Sequence, residues 1–211
     1  MTPATVVAVN VGRGKPMPGN SGMSSIDKRA VQGRVAARRL GLDGDSQTDT
    51  ANHGGPEQAV YAYAMEDLDD WARLLDRELR PGQFGENLST RGLDVTGALI
   101  GETWRIGTTL LQVTRPRIPC VVFQDWLAEP HWVKRFTDDG RPGAMLRVLE
   151  EGELGEGDDI VIEDRPDHDV TIGLVFRART TDRSLIPRML DAPQLPKADH
   201  QFAVRYTEEN S

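Results

Sequence analysis

Apolar and polar positions divide this chain into many short segments. Thr5 to Val11 (TVVAVNV) is β-branched and apolar, and Gly12, Gly14 and the stretch from Pro16 to Gly22 then interrupt it. This predicts a first strand followed by a long loop. Val31 to Leu40 alternates loosely before Gly41, and Ala59 to Tyr63 (AVYAY) predicts a strand after the turn His53-Gly54-Gly55-Pro56. Met65 to Leu79 places Leu68, Trp71, Leu74 or Leu75, and Leu79 at helical spacing, with acids early and Pro81-Gly82 beyond its end. That spacing predicts a helix. Ala98 to Ile100, Thr103 to Ile106, Thr109 to Thr114, Ala144 to Glu150 and Asp159 to Glu163 follow as short segments separated by glycines. Such punctuation predicts a closed or strongly bent sheet. From Asp164 the texture changes. Arg165-Pro166-Asp167 has linker character, Val170 to Thr180 and Ser184 to Leu190 predict two short helices, and the polar end from Lys197 to Ser211 is expected to fray. The expectation is a mainly β chain with some α: a domain over residues 1–164 and a short helical extension over 165–211.

Composition narrows the class. At 211 residues the chain can bury one core but not two full-sized ones. With 38% hydrophobic and 27% charged residues, 21 Gly and 13 Pro, it is a turn-rich globular sequence. Nowhere do about 18 consecutive apolar residues occur, and the start has no basic region leading into an apolar run. No membrane span is expected, and the cytoplasm is the default location. A single cysteine forms no internal disulfide, which fits that compartment. The net charge of -8 disfavours nucleic acid and anionic membranes, so any anionic ligand must meet a local cationic pocket.

Familiar catalytic signatures fail. Gly12-Arg13-Gly14 lacks the third glycine of a dinucleotide fingerprint, no phosphate loop ends in Gly-Lys-Ser/Thr, and Asn20-Ser21-Gly22 is no nucleophile elbow. One cysteine and four separated histidines assemble no local zinc or iron-sulfur site. Three constellations remain. Leu42 to Asp49, closed by His53-Gly54-Gly55, crowds acids, an amide and an imidazole around glycines; as a plain polar turn it would bond mostly to its own backbone. In Phe84-Gly85-Glu86-Asn87-Leu88-Ser89-Thr90, Asn87 offers donors and an acceptor that can orient a ligand or close a loop. In Val113-Thr114-Arg115-Pro116-Arg117-Ile118-Pro119-Cys120, two prolines stiffen the approach to the only cysteine. Nearby guanidinium groups favour the thiolate, the species that binds metals. Arg115 and Arg117 share a face if the segment is extended, and could form one anion clamp. Read alone, Cys120 is equally consistent with a buried small hydrophobe.

Taken in order, Gly44-Asp45-x-Gln47-x-Asp49-x3-His53-Gly54-Gly55-Pro56, Phe84-Gly85-Glu86-Asn87-Leu88, Gly101-Glu102 and Arg115-Pro116-Arg117-x-Pro119-Cys120 resemble the MOSC domain. This is the module named for the C-terminal part of molybdenum cofactor sulfurases, and the resemblance is to its bacterial YiiM-like branch. It spans roughly Val6 to Glu163, and Val170 to Leu195 is similar to a shortened form of that branch's three-helix C-terminal extension. Glu102 stands where the family commonly has Asp, and Pro187, Pro193 and Pro196 interrupt the extension.

The resemblance implies a barrel-like β domain and the molybdenum cofactor (molybdopterin), with Cys120 as metal ligand. It implies Arg117, with Arg115 and Thr114, at the cofactor's phosphate end, and His53 and Asn87 beside Cys120 in the catalytic pocket. The implied reaction is reductive removal of oxygen from a small N-hydroxylated substrate, of hydroxylaminopurine or hydroxylamine type. Its electrons would come from a separate flavoprotein or other redox protein, since the chain has no flavin or dinucleotide motif. Pyridoxal phosphate binding is a secondary expectation at family level, and a homodimer is left open. Two rival readings remain: a sulfur carrier with a persulfide on Cys120, and a non-catalytic cofactor- or metal-binding protein.

Overall fold

The structure is a computed structural model that describes residues 3–17, 22–47 and 54–210. In chain order the strands and first helix are β1 (Thr5–Val11), β2 (Lys15–Pro16), β3 (Met23–Ser24), β4 (Arg29–Ala30), β5 (Arg34–Arg38), β6 (Gly41–Leu42), β7 (Val60–Ala64), α1 (Met65–Leu74) and β8 (Leu88–Arg91). There follow β9 (Thr103–Ile106), β10 (Thr109–Pro116), α2 (Val121–Leu127), α3 (Trp132–Asp139), β11 (Ala144–Glu150), β12 (Gly152–Gly155) and β13 (Ile160–Asp164). The chain closes with α4 (Ile172–Thr180), a 3-10 segment Arg183–Asp191 and α5 (Lys197–Glu209).

Eight strands form one sheet in the order β13-β9-β10-β11-β7-β8-β1-β4, and β12-β5-β6 form a smaller one. All pairs in the large sheet are antiparallel except β7 with β8, whose crossover is α1 and the loop after it. Register shifts at Val6/Ala8 and Val113/Arg115 mark bulges that bend the sheet. It curls until the backbone of Val6 donates to Asp158 O at 2.9 Å and Ile160 N donates to Ala4 O at 2.7 Å. The β domain is therefore barrel-like, but its ladder is not continuous around the circumference.

Two apolar clusters hold the fold together. The larger lies between the sheets and the C-terminal helices: Val9, Val60, Ile100, Trp104 and Leu111 share it with Ile172, Val175, Ile186 and Ala203. Burial of such side chains contributes about 1.5–3 kcal/mol each before the entropy of ordering them is subtracted. Residues beyond Asp164 thus complete the core of the β domain. The smaller cluster is aromatic, with Phe84 at 5.2 Å from Phe123 and 5.4 Å from Trp132, edge-on to both, the arrangement the ring quadrupoles favour. It fastens α1, α2 and α3 to one end of the sheet.

Several elements differ from what the pattern predicts. The helix after Ala64 stops at Leu74, because Asp76 turns left-handed at φ 48°, so Leu79 falls outside it. Ala98 to Ile100 forms no ladder strand, only a bridge from Leu99 to Thr171. The stretch expected to fray is α5, anchored by buried Asp199 and Ala203. Helices α2 and α3 carry no long periodic run and come from burial in the aromatic cluster. Pro187, lacking an N–H, sits in the 3-10 segment. No helix among the described residues is long and apolar enough to cross a membrane.

Helix α1 is tied to the end of α3 by Arg141, which donates to Asp67 at 3.0 Å, Asp70 at 2.7 Å and Asp139 at 2.7 Å. Burial raises the Asp67 carboxyl to about 6; Arg141 opposes the shift and the other carboxylates add to it. Because this value lies above that of an unfolded Asp, the Asp67 contribution to stability is full at low pH and lost as pH rises through about 6. The urea midpoint of the wild type relative to Asp67→Asn should therefore rise as pH falls from about 7 to about 5. A difference that stays flat across that range would contradict this.

Candidate functional site

A cavity of about 430 Å³ opens between the end of β10, the segment before β4 and helices α4 and α5. Its lining combines four cations, Lys28, Arg115, Arg117 and Arg179, with two carboxylates, Asp45 and Asp199. Cys120 stands on the same wall. In a chain of net charge -8, this concentration of positive charge is the local cationic pocket that an anionic ligand requires.

Asp45 is the centre of the floor. Its carboxylate accepts from Gly12 N at 2.7 Å, from Asn87 Nδ2 at 2.9 Å and from the Lys28 ammonium. Burial pushes the Lys28 amine below the ordinary lysine value; Asp45 opposes that shift and Arg117 adds to it. Lys28 is thus a buried amine held against one carboxylate. Asn87 receives the Tyr61 N–H on Oδ1 at 3.1 Å and spends its second Nδ2 hydrogen on Asn10 O at 3.1 Å. All its polar atoms are engaged, so it acts on the cavity by orienting Asp45. Beneath it Glu86 is fully buried, accepting from Gly82 N, Phe84 N and Ser89 Oγ, and burial raises its carboxyl. Gly82 lets the Lys28 backbone come close: it has φ +78°, and a Cβ there would lie 2.6 Å from Lys28 O.

Arg117 is positioned by the aromatic cluster. Its guanidinium lies 4.0 Å from the centre of the Phe123 ring and 5.1 Å from that of Tyr61, and it donates to Phe84 O. Cation–π contact with two rings suits a delocalised guanidinium, and the side chain also lines the cavity. Arg115 lines the same cavity but is paired with Asp199 of α5, and its Nε is buried without a hydrogen-bond partner among the described residues. Thr114 is fully buried behind the wall, where its hydroxyl faces Glu57 O at 2.6 Å and Met145 O at 2.9 Å; it is not part of the lining. Cys120 is half-buried at the junction where extended chain becomes α2, and its carbonyl accepts from Phe123 N and Gln124 N.

The fold thus gathers Cys120, Asn87, Arg115 and Arg117 in one place and leaves Thr114 outside the lining. His53 lies outside the described residues. Gln47 from the same motif lines the cavity and accepts from Gly55 N at 3.0 Å. Sequence reasoning missed Lys28, Arg179 and Asp199. Lys28 sits in a polar, aperiodic stretch and Asp199 in one expected to fray, so neither carried a signal; Asp45 was visible only as part of a glycine-acid turn. No group of three or more His, Cys, Asp or Glu that could hold a metal exists among the described residues.

This site sits on a fold shared with known proteins. The MOSC domain matches residues 49–161, and the chain belongs to the MOSC domain family. YflK of Bacillus subtilis (strain 168) is 31% identical over 84% of this chain and 81% of its own. YiiM of Escherichia coli (strain K12) is 33% identical over 62% of this chain and 60% of its own. A protein named "Reductase" from Gibberella moniliformis is 31% identical over 93% of this chain, which spans only 36% of that relative's length. The crystal structure of YiiM from Geobacillus stearothermophilus superimposes with a TM-score of 0.80 at 25% identity, covering 97% of this chain and 99% of that one.

Removing the Lys28 charge should leave the buried Asp45 carboxylate with two neutral donors, Gly12 N and Asn87 Nδ2, and no counter-charge from Lys28. Lys28→Met is expected to cost about 3 kcal/mol in urea unfolding, and Lys28→Met with Asp45→Asn distinctly less than the sum of the two single changes. Strict additivity would show that the two groups do not interact.

Proposed function

We propose that this chain is a molybdenum-cofactor-dependent reductase that removes oxygen from small N-hydroxylated compounds, with Cys120 as the protein ligand to the metal. The observation that carries the reading is the meeting of the only cysteine with Arg117, Arg115 and Lys28 around one cavity. Membership of the MOSC family and a relative named as a reductase support it.

The donor set fits a metal that arrives already chelated. One soft sulfur with no accompanying His/Cys/Asp/Glu triad among the described residues cannot hold a bare ion, but it can complete the coordination of one carried by an organic ligand. An anionic tail on that ligand would meet Arg117, Lys28 and the unpartnered Nε of Arg115. When bound, the cofactor supplies the oxygen acceptor and the two electrons of the reaction.

The protein's own residues do the rest. Pro116 and Pro119 hold Cys120 on a stiff approach, so the sulfur is presented without ordering a flexible loop. Ile118, Val122, Met145 and Val175 give the cavity an apolar wall that limits water and suits the flat body of a purine-like substrate. His53 is the proposed proton source. Two protons and two electrons convert the N-hydroxyl group to the amine and water. The electrons come from a separate flavoprotein or other redox protein.

Elemental analysis and intact mass of native-purified full-length protein test this directly. About one molybdenum per chain, lost in Cys120→Ser, is the expected result. A cysteine heavier by one sulfur and no metal would favour the sulfur carrier, and intact cofactor without turnover of hydroxylamines the non-catalytic binder. The loaded protein alone should not oxidise a reduced pyridine nucleotide; steady oxidation would remove the need for a separate donor.

A further inference from the structure

The outer wall of the cavity is made by the C-terminal helices, and one carboxylate links it to the sheet. Asp199, in the first turn of α5, is only 6% exposed. One of its oxygens accepts from Arg115 of β10, and the other lies 3.6 Å from Arg179 of α4. Arg179 is held from its far side by the Phe202 ring, 4.2 Å from its guanidinium carbon. Both arginines and Asp199 line the cavity.

Two guanidinium groups therefore share one carboxylate, which is itself favoured where it is by the amide dipoles of the first helical turn. Without that charge the two cations would repel each other, and Arg115, whose Nε has no partner among the described residues, would lose the ion pair that directs it. With it, the pair keeps a net positive charge and a fixed orientation. An oxyanion reaching the cavity then meets donors that need no reordering, which is where preorganised sites gain affinity.

We propose that Asp199 is a positioning residue: it holds Arg115 and Arg179 as a preset oxyanion-binding edge, so that α4 and α5 supply part of the ligand site. The inference rests on the cavity being the ligand site, as in the proposed function, but it requires neither molybdenum nor turnover. The alternative physical role for Asp199 is that of a countercharge that weakens anion binding, and the two roles predict opposite signs.

The test is calorimetric titration of inorganic pyrophosphate into the full-length protein purified free of cofactor. Wild type should bind, more weakly as salt rises. Asp199→Asn should lose about tenfold in affinity, and Asp199→Glu, which keeps the charge, should recover most of it. Affinity that is unchanged or tighter in Asp199→Asn would overturn the proposal, as would no binding by the wild type. If Asp199→Asn does not yield folded protein by circular dichroism, Arg179→Met decides: a loss of about threefold or more is expected, and unchanged affinity overturns the idea. The titration involves neither metal nor turnover, so its outcome stands even if metal analysis rejects the molybdenum reading.

Discussion

A buried carboxylate cannot remain uncompensated, and in this protein the carboxylate that imposes this condition is Asp45. Three donors from separate stretches of chain converge on it: the Gly12 amide just past β1, the Lys28 ammonium before β4, and the Asn87 amide at the start of β8. Desolvation of charge on this scale costs several kcal/mol unless partners are supplied, so the three segments are drawn to one point. The cavity floor is the surface they make there. Asn87 extends the same constraint to β7 by receiving the Tyr61 N–H, so the floor and the parallel β7–β8 pairing of the large sheet are held together.

Above that floor the chemistry is divided between rigid and adaptable groups. Arg117 lies over the Phe123 and Tyr61 rings and donates to the Phe84 carbonyl, so its direction is set by a buried aromatic cluster. Cys120 packs against the same cluster but is only half-buried, placed by the stiff backbone before it and the helix after it. The cation is directed by ring contacts and the sulfur by backbone stiffness.

The C-terminal helices share the main core and also form a wall of the cavity. Val175 packs into the large cluster and lines the cavity as well. Any change in how α4 and α5 seat on the sheet would therefore be felt by Arg115, through an ion pair that joins residues 84 positions apart in the chain.

Much could be read from the chain directly. Thr5–Val11 and Ala144–Glu150 are strands as their apolar runs predict, because β-branched and apolar residues in short runs between turn residues have few other ways to bury themselves. Cys120, Asn87, Arg115 and Arg117 were legible because each lies in a motif whose glycines or prolines restrict the backbone locally. Lys28, Arg179 and Asp199 were not. Their significance comes from partners 17, 20 and 84 residues away, at Asp45, Asp199 and Arg115. Local spacing therefore carries no trace of it. The same holds for α2, α3 and α5, whose seating is decided by burial against distant rings and aliphatic side chains. The sequence by itself determined most of the ladder strands and the placing of the only cysteine behind two arginines on a proline-stiffened segment. Only the tertiary structure decided which charges meet, because compensation of buried charge acts through space and is blind to order along the chain.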